Sequence, residues 1–272
     1  MPLVGKLESP IARSGVTVGE VSLLTQLKAI RGLGCVHMIN PAQTAISSGG
    51  VVRCDDSVTG RTILSARGAP AIDTAINGKP SLTFGSAGAP IAGQMLRPKR
   101  YGDLDVGTGS WSFCGLIKAT GSAGPDVIVG PERVASTAVG SYTPYIRLVA
   151  TGDKTLGIAI NGGDGSARSA CSTHEFYNTV RVFLLCGTPG VGLKWYIDDW
   201  SSHALQSTTT AAKAAFTDGR FVVAGYGPVF SSFSYVGGLA YFSAHNVDLS
   251  LNDPARRDLM TEVAAYGGIT ST

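Results

Sequence analysis

The chain has 272 residues, of which 36 are Gly, roughly double the usual ~7% share, while only 15% are charged and 44% are hydrophobic. That composition excludes a disordered chain and a coiled coil, and a formal charge of +3 is too small for a protein that tracks a nucleic-acid backbone. No apolar run approaches the ~18 residues of a membrane helix; the strongest, 180–186, is broken by Arg181.

The first eight residues, MPLVGKLE, contain neither a basic leader nor an apolar core, so no secretory signal is expected. No Asn-x-Ser/Thr sequon occurs either, and the chain reads as one made and folded in a cytoplasm. Residues 1–34 stand apart as an arm too short for a domain of its own. Within it Val21, Leu24, Leu27 and Ile30 share one face of a short amphipathic helix that Ser22 or Thr25 can cap. Together with Leu3, Val4 and Leu7 they make the arm more apolar than a free segment tolerates. It either folds back on its own chain or docks on a neighbour.

From residue 35 onward, short runs rich in Val, Ile, Phe, Tyr and Thr alternate with clusters of Gly, Ser, Asn and Pro, the pattern of an all-β sandwich or barrel. Strands are expected at 51–54, 81–84, 111–118, 145–150, 156–160, 179–186, 193–197, 221–224 and 235–243. In the stretches around Trp111/Phe113 and Val182/Leu184 both alternating faces are largely apolar, which predicts packing on two sides. Asn77-Gly78 and Asn161-Gly162 mark tight turns. Near the far end Asp253 caps a helix with Pro254 in its first turn, Leu259, Val263 and Tyr266 line its inner face, and Gly267-Gly268 stop it.

Four segments carry a resemblance: GGVVRCDDSVTG at 49–60, APAIDTAINGKPSLTF at 69–84, YNTVRVFLLCGTPGVGLKWYIDD at 177–199, and GGLAYFSAHNVDLSLNDPARRDLMTEVAAYGG at 237–268. In this order they resemble the concanavalin A-like, laminin-G-like jelly-roll domains of bacterial and phage proteins. Two positions depart from that pattern: Cys54 stands near the usual Trp, and Asp199 where a Gly is usual. The resemblance implies one jelly-roll β-sandwich over 35–272, with the N-terminal arm before it and the C-terminal helix as its last element.

Such a fold hosts lectins, glycosidases, adhesion modules and virion parts, so each chemistry needs its own residues. The glycosidases of this fold place two glutamates close together on one strand, whereas Glu8, Glu20, Glu132, Glu175 and Glu262 are scattered. His37, His174, His203 and His245 are isolated and belong to no nucleophile elbow or zinc helix. No catalysis is therefore expected. The five cysteines (Cys35, Cys54, Cys114, Cys171, Cys186) show no metal-ligand spacing and read as buried thiols, with one or two disulfides as the alternative. No cofactor is expected, though calcium is compatible with Asp55, Asp56, Asp198 and Asp199 as weak candidates. Asp103 and Asp105 join them. Arg97, Lys99 and Arg100 form one basic knot, which reads as a solvated loop rather than a phosphate site.

For sugar stacking the candidates are Trp200, after Asp198-Asp199, and Tyr142 and Tyr145 around Pro144. The expected function is a non-enzymatic structural component of a phage virion, a head-decoration or tail-surface protein, with a carbohydrate-binding host-attachment module as the alternative. Its partners would be other virion subunits, further copies of itself, and a cell-surface glycan, with no nucleic acid and no membrane. Assembly would run through Leu3, Val4, Leu7, Val21, Leu24, Leu27 and Ile30.

Overall fold

The computed structural model describes residues 18–48, 51–66, 68–85, 94–120, 126–132, 146–150, 155–162, 165–175, 178–197, 203–204, 220–225 and 235–269. After α1 (Val18–Ala29) come β1 (Cys35–Ile39), the single turn α2 (Pro41–Thr44), β2 (Ile46–Ser48), β3 (Val51–Asp55), β4 (Thr62–Ala66), β5 (Ala71–Ile76), β6 (Lys79–Phe84) and β7 (Met95–Pro98). There follow β8 (Trp111–Ala119), β9 (Asp126–Pro131), β10 (Ile146–Ala150), β11 (Thr155–Gly162), β12 (Gly165–Glu175), β13 (Arg181–Thr188), β14 (Gly192–Ile197), β15 (His203–Ala204), β16 (Phe221–Val223), β17 (Gly237–His245) and α3 (Asp253–Tyr266).

The strands form two antiparallel sheets, ordered β15-β14-β13-β8-β17-β6-β5 and β12-β11-β10-β9-β16-β7-β4-β3-β2. β17 is the hub of the first. It pairs with β8 on one side, and on the other with β6 through Gly237, Gly238 and Leu239 and with β1 through residues 242–245. The expected one-sheet-on-another architecture is what the chain adopts.

Alternation along β8 and β13 explains why both of their faces are apolar. Trp111, Phe113, Ile117, Phe183 and Leu185 point between the sheets, where they meet Val52, Ile63, Leu96, Val129 and Val223. Cys114, Leu116, Val182, Leu184 and Cys186 point outward and are covered by α3 and α1. A bulge in β17 between Leu239 and Tyr241 places two consecutive residues, Ala240 and Tyr241, on the helix-covered face before Phe242 returns to the inner one. Trp111, Phe113, Val182, Leu184 and Ile197 are all buried as expected; the side chain of Trp195 lies outside the described residues.

α3 starts one residue earlier in its capping than the sequence suggests. Asn252, not Asp253, is the N-cap, accepting from the Ala255 amide at 3.3 Å, while Asp253 pairs with Arg257 at 2.8 Å and with Arg256. Asn has the same short acceptor as Asp, so the two residues compete for this position, and the helix begins where the chain leaves the Leu249–Leu251 turn. Leu259, Val263 and Tyr266 form the inner face, and Gly268 ends the helix at φ 65°.

Three further expectations change. α1 runs through Ser22 and Thr25, so neither is a cap, and Leu23, which is not on the expected face of Val21, Leu24, Leu27 and Ile30, is buried together with Leu27, at i and i+4. Asn161-Gly162 are the last paired residues of β11, opposite Ser166 and Gly165, and so belong to the strand. The boundary at residue 34 is crossed by the core. Leu23, Leu27 and Leu33 pack with Met38, Leu259, Met260 and Val263, and Ile30 lies half-buried on the same cluster. Leu27, expected at an intermolecular contact, is thus 1% exposed inside its own chain. Leu3, Val4 and Leu7 lie outside the described residues, as do the side chains of Val21 and Leu24.

Candidate functional site

The site grows out of one hairpin. β3 and β4 are joined by a turn in which the Asp56 amide donates to the Arg61 carbonyl at 2.8 Å and the Gly60 amide, at φ 70°, to the Asp56 carbonyl at 2.8 Å. The Asp56 carboxylate points inward. One oxygen accepts from the Met38 and Val58 amides, both at 2.9 Å; the other accepts from His37 Nδ1 at 2.7 Å and Thr59 Oγ1 at 2.6 Å. Burial pushes its pKa up, but the His37, Thr59, Met38 and Val58 hydrogen bonds outweigh that and hold it below the usual carboxylate value. Asp55 beside it accepts from the Arg53 guanidinium and from Thr62 Oγ1 at 3.1 Å.

These contacts are what the structure shows for Asp55 and Asp56, the weak calcium candidates. The Asp56 oxygens already serve four donors and those of Asp55 two side chains, and among the described residues no group of three His, Cys, Asp or Glu side chains is placed to hold a metal. Asp198 and Asp199 lie outside the described residues, as do Trp200, Tyr142 and Tyr145. His37 is not isolated either: with its Nδ1 proton on Asp56, its Nε2 accepts from the Asp105 amide at 3.0 Å.

Through His37 the hairpin fixes the loop after β7. That loop is held from three further directions. Arg61 Nη1 donates to the Asp103 carbonyl at 3.1 Å and lies 3.4 Å from its carboxylate. Glu132, only 8% exposed at the end of β9, accepts from the Gly102 amide at 2.9 Å. Asp105 bridges Arg220, whose guanidinium carbon lies 4.3 Å from the centre of the Tyr101 ring.

Between the start of β4 and this loop opens a pocket of ≈ 330 Å³ lined by Arg61, Thr62, Lys99, Arg100 and Asp103. Three cations face one carboxylate, and that carboxylate already pairs with Arg61. Tyr101, next in the chain to Arg100, is 48% exposed. The residues expected to form a solvated basic loop therefore line a concave, pinned surface. Lys99 and Arg100 were visible in the sequence as a knot of charge; Arg61 and Arg220 were not, because strand pairing brings them there from 38 and about 120 residues away. The Thr62 carbonyl accepts from the Lys99 amide at 3.0 Å, and this contact sets the two pocket walls side by side.

Of the scattered glutamates, Glu132, just past the end of β9, accepts from the Gly102 amide, and the backbone of Glu175 lies opposite Thr155 at the end of β12. Of the five cysteines, Cys35, Cys54, Cys114 and Cys186 are free thiols. Burial and the Asp56 charge push Cys35 up to about 12, and burial does the same to Cys54 and Cys186, which keeps them protonated and unreactive. A second groove, ≈ 320 Å³, runs beside Leu27, Ile30, Cys35 and Val58 under α1.

The chain matches no family model and no curated protein sequence. Solved structures share its fold. A mutant of Trypanosoma rangeli sialidase displaying trans-sialidase activity superposes with a TM-score of 0.57 at 11% identity, over 93% of this chain and 38% of that one. The binding domain of Botulinum neurotoxin DC, solved in complex with rat synaptotagmin II, gives 0.53 at 9% identity over 83% and 51%. A receptor binding domain gives 0.54 at 10% identity over 86% and 52%. The fold is a concanavalin A-like β-sandwich. At these identities the likeness is one of fold, and the chain spans about half or less of each of those proteins. The pocket lies on the second sheet, where the start of β4 meets the loop that follows its neighbour β7.

His245 gives this sandwich an acid sensitivity. Its Nδ1 donates to the Leu33 carbonyl and its Nε2 accepts from Ser243 Oγ, both at 2.8 Å, and burial pushes its pKa down to about 4. The unfolded chain takes up this proton near ~6.5, the folded one only near 4, so between those values the unfolded state binds more protons. Stability is full above pH ~6.5 and falls as the pH drops towards 4. Urea unfolding at pH 7 and 4.5 should differ by about 2–3 kcal/mol from this group; equal midpoints and slopes at the two pH values would contradict the buried neutral imidazole.

Proposed function

We propose that this concanavalin A-like sandwich is a non-catalytic binding module for a cell-surface carbohydrate or receptor, of the kind that serves host attachment. The observation that carries the reading is the pocket itself. It is concave, polar, of a size within the ~300–1,000 Å³ range of small-ligand sites, and its walls are fixed by hydrogen bonds before any ligand arrives. The fold shared with a toxin binding domain and a receptor binding domain supports it. The wide separation of the glutamates along the chain supports binding without turnover.

The test is a glycan array probed with the full chain, followed by incubation of each bound glycan with the protein and assay for released reducing ends. Binding to a defined subset with no release is the expected result. Absence of binding across the array, or hydrolysis of a bound glycan, contradicts the reading.

A second reading, a structural part of a phage virion assembled with other subunits and with itself, is supported by the low charge of 15%. Ile46 and Val51 are also exposed at β2 and β3, the terminal pair in the order of the second sheet. The two readings are compatible, since attachment modules are carried on particles. Peptide mass spectrometry of purified particles from an infected culture separates them: the chain is present at a fixed ratio to the shell protein if it is a virion part, and absent otherwise.

A further inference from the structure

We infer that the ligand of the Arg61, Thr62, Lys99, Arg100 and Asp103 pocket is an acidic glycan, one whose sugar carries a carboxylate or a sulfate. The inference rests on the binding-module reading and adds the site and the ligand class.

Charge comes first. Of the three cations around the pocket, Arg61 is paired with Asp103, while among the described residues no carboxylate pairs with Lys99 or Arg100. Two full positive charges thus converge on one concave surface where, among the described residues, the one lining carboxylate, Asp103, is paired with Arg61, and a ligand anion can balance them. Arrangement comes second. The Arg61 contact to Asp103, the Glu132 contact to Gly102, and the His37 contact to Asp105 hold the loop that carries Lys99 and Arg100. Binding therefore orders little more than two side-chain ends. Shape comes third. Beside the cations the Tyr101 ring is half-exposed and steadied by the Arg220 guanidinium, a flat apolar surface of the kind on which a pyranose face rests.

The same cations could meet a nucleic acid, but the balance is against it. The whole chain carries only +3, and a strand-binding surface needs a stripe of cations rather than two beside one concave pocket.

The test is calorimetric titration of the full chain with a sulfated heparin tetrasaccharide, a galacturonate tetrasaccharide, neutral cellotetraose, inorganic phosphate and an oligothymidylate. At least one acidic tetrasaccharide should bind more tightly than the other three probes, and its affinity should fall with added salt. The Lys99→Ala/Arg100→Ala variant should lose about tenfold or more in that affinity with unchanged thermal unfolding, and Lys99→Arg/Arg100→Lys should recover most of it. Unchanged affinity in the alanine variant, cellotetraose bound as tightly as the acidic sugars, or phosphate or oligothymidylate bound as tightly as either, overturns the inference. Binding of neutral glycans alone would leave the binding-module reading standing while this one falls; no glycan bound at all would remove both.

Discussion

Replacing Asp56 by Ala should destabilise the protein by about 3–5 kcal/mol, measured by urea unfolding at pH 7. The carboxylate is buried and serves four donors at once: His37 Nδ1, Thr59 Oγ1 and the Met38 and Val58 amides. Alanine leaves all four without their acceptor; His37 and the Met38 amide are buried, while Val58 and Thr59 lie at the exposed tip of the turn where water can replace it, and each buried orphan costs about 1–3 kcal/mol before relaxation. The loss also travels. His37 released from Asp56 no longer presents Nε2 to the Asp105 amide, so the loop that lines the pocket loses one of its ties. Asp56→Asn keeps one acceptor oxygen and should recover part of the stability. A cost below about 1 kcal/mol for Asp56→Ala would show that the turn is held by its backbone bonds alone.

Leu259→Ala should cost about 2–5 kcal/mol, and Leu27→Ala a similar amount, because each empties a fully buried position in the layer between the helices and the first sheet. The two side chains belong to one cluster, so the double variant should cost less than the sum of the single ones. The same packing predicts that removing residues 1–30 uncovers the face of α3 that holds Leu259, Met260 and Val263. The truncated chain should then be less stable and more prone to associate, rather than a freely soluble sandwich. Leu259→Ala costing under 0.5 kcal/mol would mean that the inner face of α3 is assigned wrongly.

The sandwich was legible because period-two alternation survives in its central strands. Around Trp111 and Val182 even the two-sided burial could be read, since both faces are apolar and a sheet covered by helices on its outside requires that. Strands such as β7, which contains Arg97 and Pro98, and β12, rich in Ser and Ala, carry no such alternation, and their place is set by their neighbours in the sheet. The helix in the arm was legible, and Leu27 and Ile30 of its expected face do pack on the cluster with α3; that Leu23 joins them depends on contacts no local pattern announces.

The site was less legible than the fold. Lys99 and Arg100 form a charge cluster in the sequence, yet a charge cluster on a loop is ordinarily solvated. What turns it into a pocket is pairing between β4 and β7, which brings Arg61 and Thr62 against it. The His37–Asp56 pair is hidden for the same reason: the two residues lie on neighbouring segments linked by a backbone bond from the Ser57 amide to the Met38 carbonyl that no local pattern announces.

Mapping backbone amide shifts of the labelled chain during titration with the tightest-bound glycan tests the binding-module account most directly. The largest shifts should fall on Arg61, Thr62, Lys99, Arg100, Tyr101 and Asp103, with smaller ones at Asp105 and Arg220, and the amides of α3 should stay still. Shifts centred on the groove beside Ile30 and Val58, or on any surface away from the β4–β7 loop, would contradict it.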